Sequence, residues 1–235
     1  MTNSLPLCAI VGAGPGNGRA FARRFADGGY RIALLARQPE RLRELAADIP
    51  DALLHGCDVT RRDDVRNAAH RLEADHGCPQ VLVYNAGSGV FGSVDDVDAE
   101  AFEEAWRTNA AGLLAWVQAV LPGMRAAGGG RIIVIGATAA KRGGAEFTAF
   151  ASAKHAQYGL AQSLARKLAP ENIHVSYVVI DGVIDTPRTR EMLPDRTDNF
   201  FLKASDIAES VYQLAQQPPS ARSFEIDLRP YGERW

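Results

Sequence analysis

Seven short, nearly continuous apolar runs punctuate the chain: "LCAIVGA" (7–13), "RIALLA" (31–36), "ALLHGC" (52–57), "QVLVYNA" (80–86), "RIIVIGA" (131–137), "HVSYVVID" (174–181) and "SFEIDL" (223–228). Between them lie amphipathic stretches at roughly 16–28, 38–48, 61–76, 98–126, 147–169 and 204–217, where apolar residues recur with helical spacing. Strands that are apolar on both faces and separated by helices predict a parallel sheet covered on each side. The expected fold is α/β, a doubly wound parallel sheet of about seven strands with right-handed crossovers. Residues 186–203, "TPRTREMLPDRTDNFFLK", break the alternation with Pro187, Pro194 and mixed charge, and are expected to form a mobile flap over a site. No repeat, low-complexity tract or linker interrupts the pattern, so 1–235 reads as a single domain.

Composition changes this picture little. The 235 residues suffice for one well-buried core, and the 46% apolar and 23% charged fractions are ordinary for a globular protein. A net charge of −2 offers no basic field for nucleic acid or an anionic membrane. No segment approaches the ~18 consecutive apolar residues of a membrane span, and the start "MTNSLPLCAIVGAG" runs into a glycine loop without the pattern of a signal peptide. Cys8, Cys57 and Cys78 are odd in number, and the first and second fall in strand-like runs. Reduced thiols in a cytoplasmic protein are therefore expected, with neither disulfide nor metal site.

"AIVGAGPGNGRAFARRFADGG" places Gly12, Gly14, Gly16 and Gly18 between the first strand and the first helix, with Asn17 among them. Glycines let backbone N–H groups approach a pyrophosphate, and the helix N-terminus favours its charge. In the first βαβ unit this predicts a dinucleotide site of Rossmann type, although a structural turn also uses glycine. The second strand ends "ALLARQPERL", with Arg37 and Arg41 where an acid would hold a ribose 2′-hydroxyl. A cation suits a 2′-phosphate, which predicts NADP in preference to NAD. The alternative is that both arginines solvate the start of a helix.

Across nearly its whole length the chain resembles the short-chain dehydrogenase/reductase family. Gly12, Gly16 and Gly18 match the family's TGxxxGxG loop, with Val11 at the threonine. Asp58 and Val59 of "CDVT" match the pair that borders the adenine. "YNAG" supplies Asn85, Ala86 and Gly87, with Tyr84 replacing a first asparagine. Asn109 of "WRTNAAG" matches the helix asparagine that holds a water in a proton relay. Lys154 matches the active-site lysine, which anchors the nicotinamide ribose. "IDGVIDT" retains Gly182, Ile184 and Thr186 of PGxIxT, residues that meet the nicotinamide, but has Asp181 at the proline. The resemblance also implies pairing of the 98–126 and 147–169 helices between subunits, hence a homodimer or homotetramer. Tyr231 and Trp235 in the tail either cover a neighbouring subunit or cap the sheet locally.

The family's catalytic serine and tyrosine are not matched. The same alignment puts Ala137 at the serine and Phe150, four residues before Lys154, at the tyrosine. Positions 150 and 154 share a helix face, about 6 Å apart along the axis. Phe150 has no proton to give and Ala137 no hydroxyl to bind a developing oxyanion, so carbonyl reduction should lose several orders of magnitude. Thr138 is the nearest hydroxyl that could turn into the site, or it bonds local backbone. Tyr158 lies ~12 Å farther along the helix, Ser152 faces away, and His155 projects off the lysine's face. Thr148, Glu146, Tyr84 and Ser88 approach from loops, and Asp181 is either an acid or a cap. A cationic iminium would need no acid, and Phe150 could meet it through its ring face. An enone could take its proton from solvent. The residues thus suggest an atypical NADP(H)-dependent oxidoreductase acting on a small-molecule carbonyl, imine or enone. The alternative is a catalytically silent nucleotide-binding protein.

Overall fold

A computed structural model describes residues 5–232. Seven parallel strands form one sheet: β1 (Leu7–Val11), β2 (Arg31–Ala36), β3 (Leu53–Gly56), β4 (Val81–Tyr84), β5 (Gly130–Ile135), β6 (Ile173–Ile180) and, at the far edge, the last strand. Two short strands, β7 (Val183–Ile184) and β8 (Phe201–Leu202), pair in parallel beside the main sheet, so the edge strand is β9 (Glu225–Leu228). The order β3-β2-β1-β4-β5-β6-β9 reverses direction between β1 and β4. A crevice for ligand opens there, at the carboxyl ends of the strands.

Alternation along each strand sorts side chains onto two buried faces. Leu7, Ala9 and Val11 of β1 join the core beneath α3 (Arg62–His76), α5 (Gly112–Ala126) and α6 (Thr148–Leu168). Cys8 and Ile10 join the core beneath α1 (Asn17–Asp27), α2 (Pro39–Leu45) and α8 (Ala204–Gln216). Both layers being covered explains why the strands read as unbroken apolar runs. Full burial of each large aliphatic residue contributes about 1.5–3 kcal/mol.

The 98–126 stretch is not one regular helix. The α4 segment (Ala99–Trp106) runs into a π-turn over Arg107–Ala111, where the Gly112 N–H reaches back to the Arg107 carbonyl, and continues as α5. Apolar spacing does not register a single widened turn, and such turns are frequent at functional sites. The 186–203 stretch also carries structure. Thr186 and Thr189 form a reciprocal cap at the start of α7 (Pro187–Met192), and the segment closes on β8. Arg190 ties its base together through Asp185 at 2.7 and 2.8 Å and Asp198 at 2.7 Å. Beyond β9, Tyr231 is exposed and its hydroxyl accepts from Asn199 at 3.0 Å; Trp235 lies outside the described residues.

Candidate active site

The turn from β1 into α1 approaches the β4 loop so closely that only glycine fits at its start. Gly12 has φ +81°, and a Cβ there would lie 2.4 Å from both the N and Cα of Ala86. Asn85 locks this approach, since its Nδ2 donates to the Gly12 carbonyl at 2.7 Å. Gly18 is constrained too, though less tightly, with a Cβ 2.8 Å from Ala13 Cα, whereas Gly14 faces open space. Gly16 meets the other wall, where a Cβ would sit 3.1 Å from Thr186 Cγ2. The loop and the Gly182–Thr186 segment therefore face each other across one crevice. Gly182 itself has φ +154°, against Pro230.

Two connected clefts fill that crevice. The first, of about 1000 Å³, runs from Gly12, Gly14 and Asn85 past Asp58 and Val59 to Arg37 and Arg41. Asp58 is held by Thr60, whose backbone N–H and hydroxyl donate to Oδ1 at 2.9 and 2.7 Å. The Arg37 guanidinium has no hydrogen bond or ion pair among the described residues. Arg19, which sequence reasoning passed over, lines the same cleft and lies 3.5 Å from Asp48. The second cleft, of about 820 Å³, shares Asn85, Gly87 and Ser88 with the first and ends among Ala137, Thr138, Phe150 and Lys154. Asn17, Gly182, Ile184 and Thr186 complete its walls.

Lys154 is buried in the wall of the second cleft. Its Nζ donates to the Ile135 carbonyl at 3.2 Å and to Gln157 Oε1 at 3.1 Å. Burial without an acidic partner lowers its pKa from the usual lysine range to about 7. Gln157, fully buried and not singled out by the sequence, organises the whole neighbourhood. Its Oε1 also accepts from the Tyr177 hydroxyl at 3.3 Å, and its Nε2 donates to the Asn109 carbonyl at 3.1 Å. The Asn109 carbonyl thus accepts from an amide side chain. Asn109 sits in the π-turn, and its Nδ2 donates to the carbonyls of Ala105 at 2.9 Å and Ser88 at 3.3 Å. Its Oδ1 is buried without a partner among the described residues, as is Oδ1 of Asn17.

The remaining candidates separate clearly. Thr138 lines the second cleft, but its hydroxyl donates to Asp181 Oδ1 at 2.6 Å and to the Ile180 carbonyl at 3.3 Å. Asp181 neither caps the next turn nor lines the cleft, and its other oxygen lies 3.4 Å from Arg229. Phe150 packs on Phe91 and Phe147, with ring centroids 5.2 and 6.0 Å away. Tyr84 is fully buried under α5 and donates to the Thr108 carbonyl at 2.5 Å. Tyr158 packs against Tyr177 and Phe224, while Ser152 and His155 are exposed and bond to the carbonyls of Thr148 and Ala151. Cys8, Cys57 and Cys78 are free thiols. No helix of the described residues is long and apolar enough to cross a membrane.

The crevice fits a dinucleotide: a glycine turn whose Gly12 and Gly18 admit no side chain, a wall acceptor, Asn17 Oδ1, buried without a partner among the described residues, and two connected clefts. Comparisons with known proteins agree. The short chain dehydrogenase family model matches residues 7–197. A short-chain dehydrogenase structure from Rhodopseudomonas palustris is 31% identical and covers 96% of this chain and 99% of its own, with TM-score 0.83. A metagenomic short-chain oxidoreductase in complex with NADP is 30% identical over 97% of this chain and 98% of its own, with TM-score 0.84. The 3-oxoacyl-[acyl-carrier-protein] reductase of Bos taurus is 29% identical over 218 residues, 90% of this chain and 92% of its own. The chain belongs to the short-chain dehydrogenase family, a short-chain oxidoreductase of the kind that binds a nicotinamide cofactor.

Proposed function

We propose that this protein is an atypical NADP(H)-dependent oxidoreductase that reduces a small carbonyl, imine or enone without the usual serine and tyrosine, drawing its proton from Lys154. The observation that carries the proposal is the inventory of the second cleft. Apart from two arginines, which stay protonated, Lys154 is its one titratable side chain among the described residues. When bound, the nicotinamide supplies hydride to the electrophilic carbon. The protein's share is to hold the reactants in the cleft and to deliver a proton to the heteroatom. An amine that titrates near neutral pH exists in both forms under ordinary conditions, as a general acid requires. Gln157 and the Ile135 carbonyl fix two of its three N–H bonds, which keeps Nζ at the cleft wall. Solvent then restores the proton.

Gly12, Gly14, Gly16 and Gly18 admit the pyrophosphate, Asp58 and Val59 border the adenine, and Asn85, Ala86, Gly87, Gly182, Ile184 and Thr186 enclose the nicotinamide half. Arg37, Arg41 and Arg19 around the far end of the first cleft support a 2′-phosphate and so NADP over NAD, as does the NADP complex of the metagenomic relative. Free thiols suit a cytoplasmic protein, and the exposed Phe102 and Trp106 on α4 suit a homodimer or homotetramer.

The test is NADPH consumption on a panel of ketones, imines and enones by the wild type and Lys154→Met. Turnover on at least one class, lowered on the order of 10²–10⁴-fold in the variant, is expected. The Thr138–Asp181 bond, which withdraws the nearest hydroxyl, favours the second reading of a silent nucleotide-binding protein. NADPH binding without turnover on any class would establish that reading instead.

A further inference from the structure

The walls of the second cleft combine an aromatic face with cationic charge. Phe91, Phe147 and Phe150 touch one another at centroid separations of 5.2–6.0 Å, yet Phe91 and Phe147 remain 62% and 38% exposed. Rings left open to a cleft offer a partner to an apolar body. Among the described residues no aspartate or glutamate lines this cleft, whereas Arg142 and Arg188 do. Their charges are largely unspent. Arg188 makes no ion pair or hydrogen bond among the described residues. Its neighbour Arg190, two residues on, is consumed by Asp185 and Asp198 and stacks on Phe201. Arg142 reaches Asp181 only at 4.0 Å, while that carboxylate is already engaged by Thr138 and Arg229.

We infer that the substrate is an anion with an apolar, ring-sized body, its carboxylate or equivalent group received by Arg142 and Arg188 and its body laid against the three phenylalanines. Guanidinium groups bind carboxylates through paired N–H donors, which fixes orientation as well as affinity. A body held by the phenylalanines and an anion held at the rim would leave the reducible carbon beside Lys154. The same charges disfavour the cationic iminium suggested by Phe150 alone, because Lys154 and both arginines would repel it. This inference rests on the proposed hydride-transfer reading for the identity of the cleft, but binding can be measured without turnover.

Benzoylformate and its methyl ester serve as probes, differing in the negative charge. Each is titrated calorimetrically into the apoprotein and the NADP⁺-saturated protein, for the wild type and the Arg142→Gln/Arg188→Gln variant. The acid should bind about tenfold more tightly than the ester in the wild type, with that preference falling below about twofold in the variant. NADP⁺ affinity should move less than about twofold. Equal or tighter binding of the ester, an acid preference that survives in the variant, or binding of neither probe would overturn the inference. Loss of NADP⁺ binding in the wild type would instead overturn the oxidoreductase reading, while the apoprotein titrations still report on the anion site.

Discussion

In the apoprotein, the stability of Lys154→Met relative to the wild type should fall as pH rises. Burial lowers the folded-state pKa of Lys154 to about 7, against ~10.4 in an unfolded chain. Between those values the unfolded state binds one more proton than the folded state, so wild-type stability climbs with pH. Below about pH 7 both states carry the proton and the full cost of the buried charge is present, about 4–5 kcal/mol by the difference in pKa. Above ~10.4 neither is charged and the cost vanishes. Methionine fills similar volume without charge but forfeits the bonds to Ile135 and Gln157, which subtracts a pH-independent offset. The difference in unfolding free energy, variant minus wild type, should therefore fall by about 1.4 kcal/mol per pH unit, or ~3 kcal/mol between about pH 7.5 and 9.5. Urea denaturation of both proteins across that range measures it, and groups common to both cancel in the difference. A difference that stays flat with pH, or grows, would refute the assignment of an uncompensated buried amine.

Gln157→Leu removes the partner of three buried groups, the Lys154 amine, the Tyr177 hydroxyl and the Asn109 carbonyl, and should cost about 3 kcal/mol or more. Thermal denaturation should show Tm lower by ~6–12 °C; a change under about 2 °C would mean that this network contributes little. Gly12→Ala forces a Cβ onto the Ala86 backbone at a positive φ, so it should abolish NADPH binding and lower stability by about 3 kcal/mol or more. Titration showing unchanged affinity would disconnect the glycine turn from the cofactor. Phe150→Tyr combined with Ala137→Ser should raise ketone reduction above the wild-type level. Complete inactivity with NADPH still bound would show that the cleft excludes such substrates.

The parallel sheet was legible because its strands are buried on both faces, and Cys8 and Ile10 are as apolar as Ala9 and Val11. The glycine turn was legible because close backbone approach admits one residue type. Long-range side-chain pairing left no such trace. Nothing local to Thr138 announces that its hydroxyl belongs to Asp181, forty-three positions away. Gln157 escaped notice because a lone glutamine matches no motif, although its place three residues after Lys154 on one helix face was an available signal. The π-turn around Asn109 was likewise invisible to apolar periodicity, as was the inward direction of Tyr84. What the sequence showed least was which polar groups are already spent, and that decides the chemistry left to the cleft.

Calorimetric titration of the wild type and Arg37→Gln with NADPH and, separately, NADH measures whether the crevice holds a dinucleotide and selects its 2′-phosphate. NADPH should bind at least about tenfold tighter than NADH, a gap of ~1.4 kcal/mol, and most of that gap should be lost in the variant. Failure of the wild type to bind either nucleotide would contradict the dinucleotide reading.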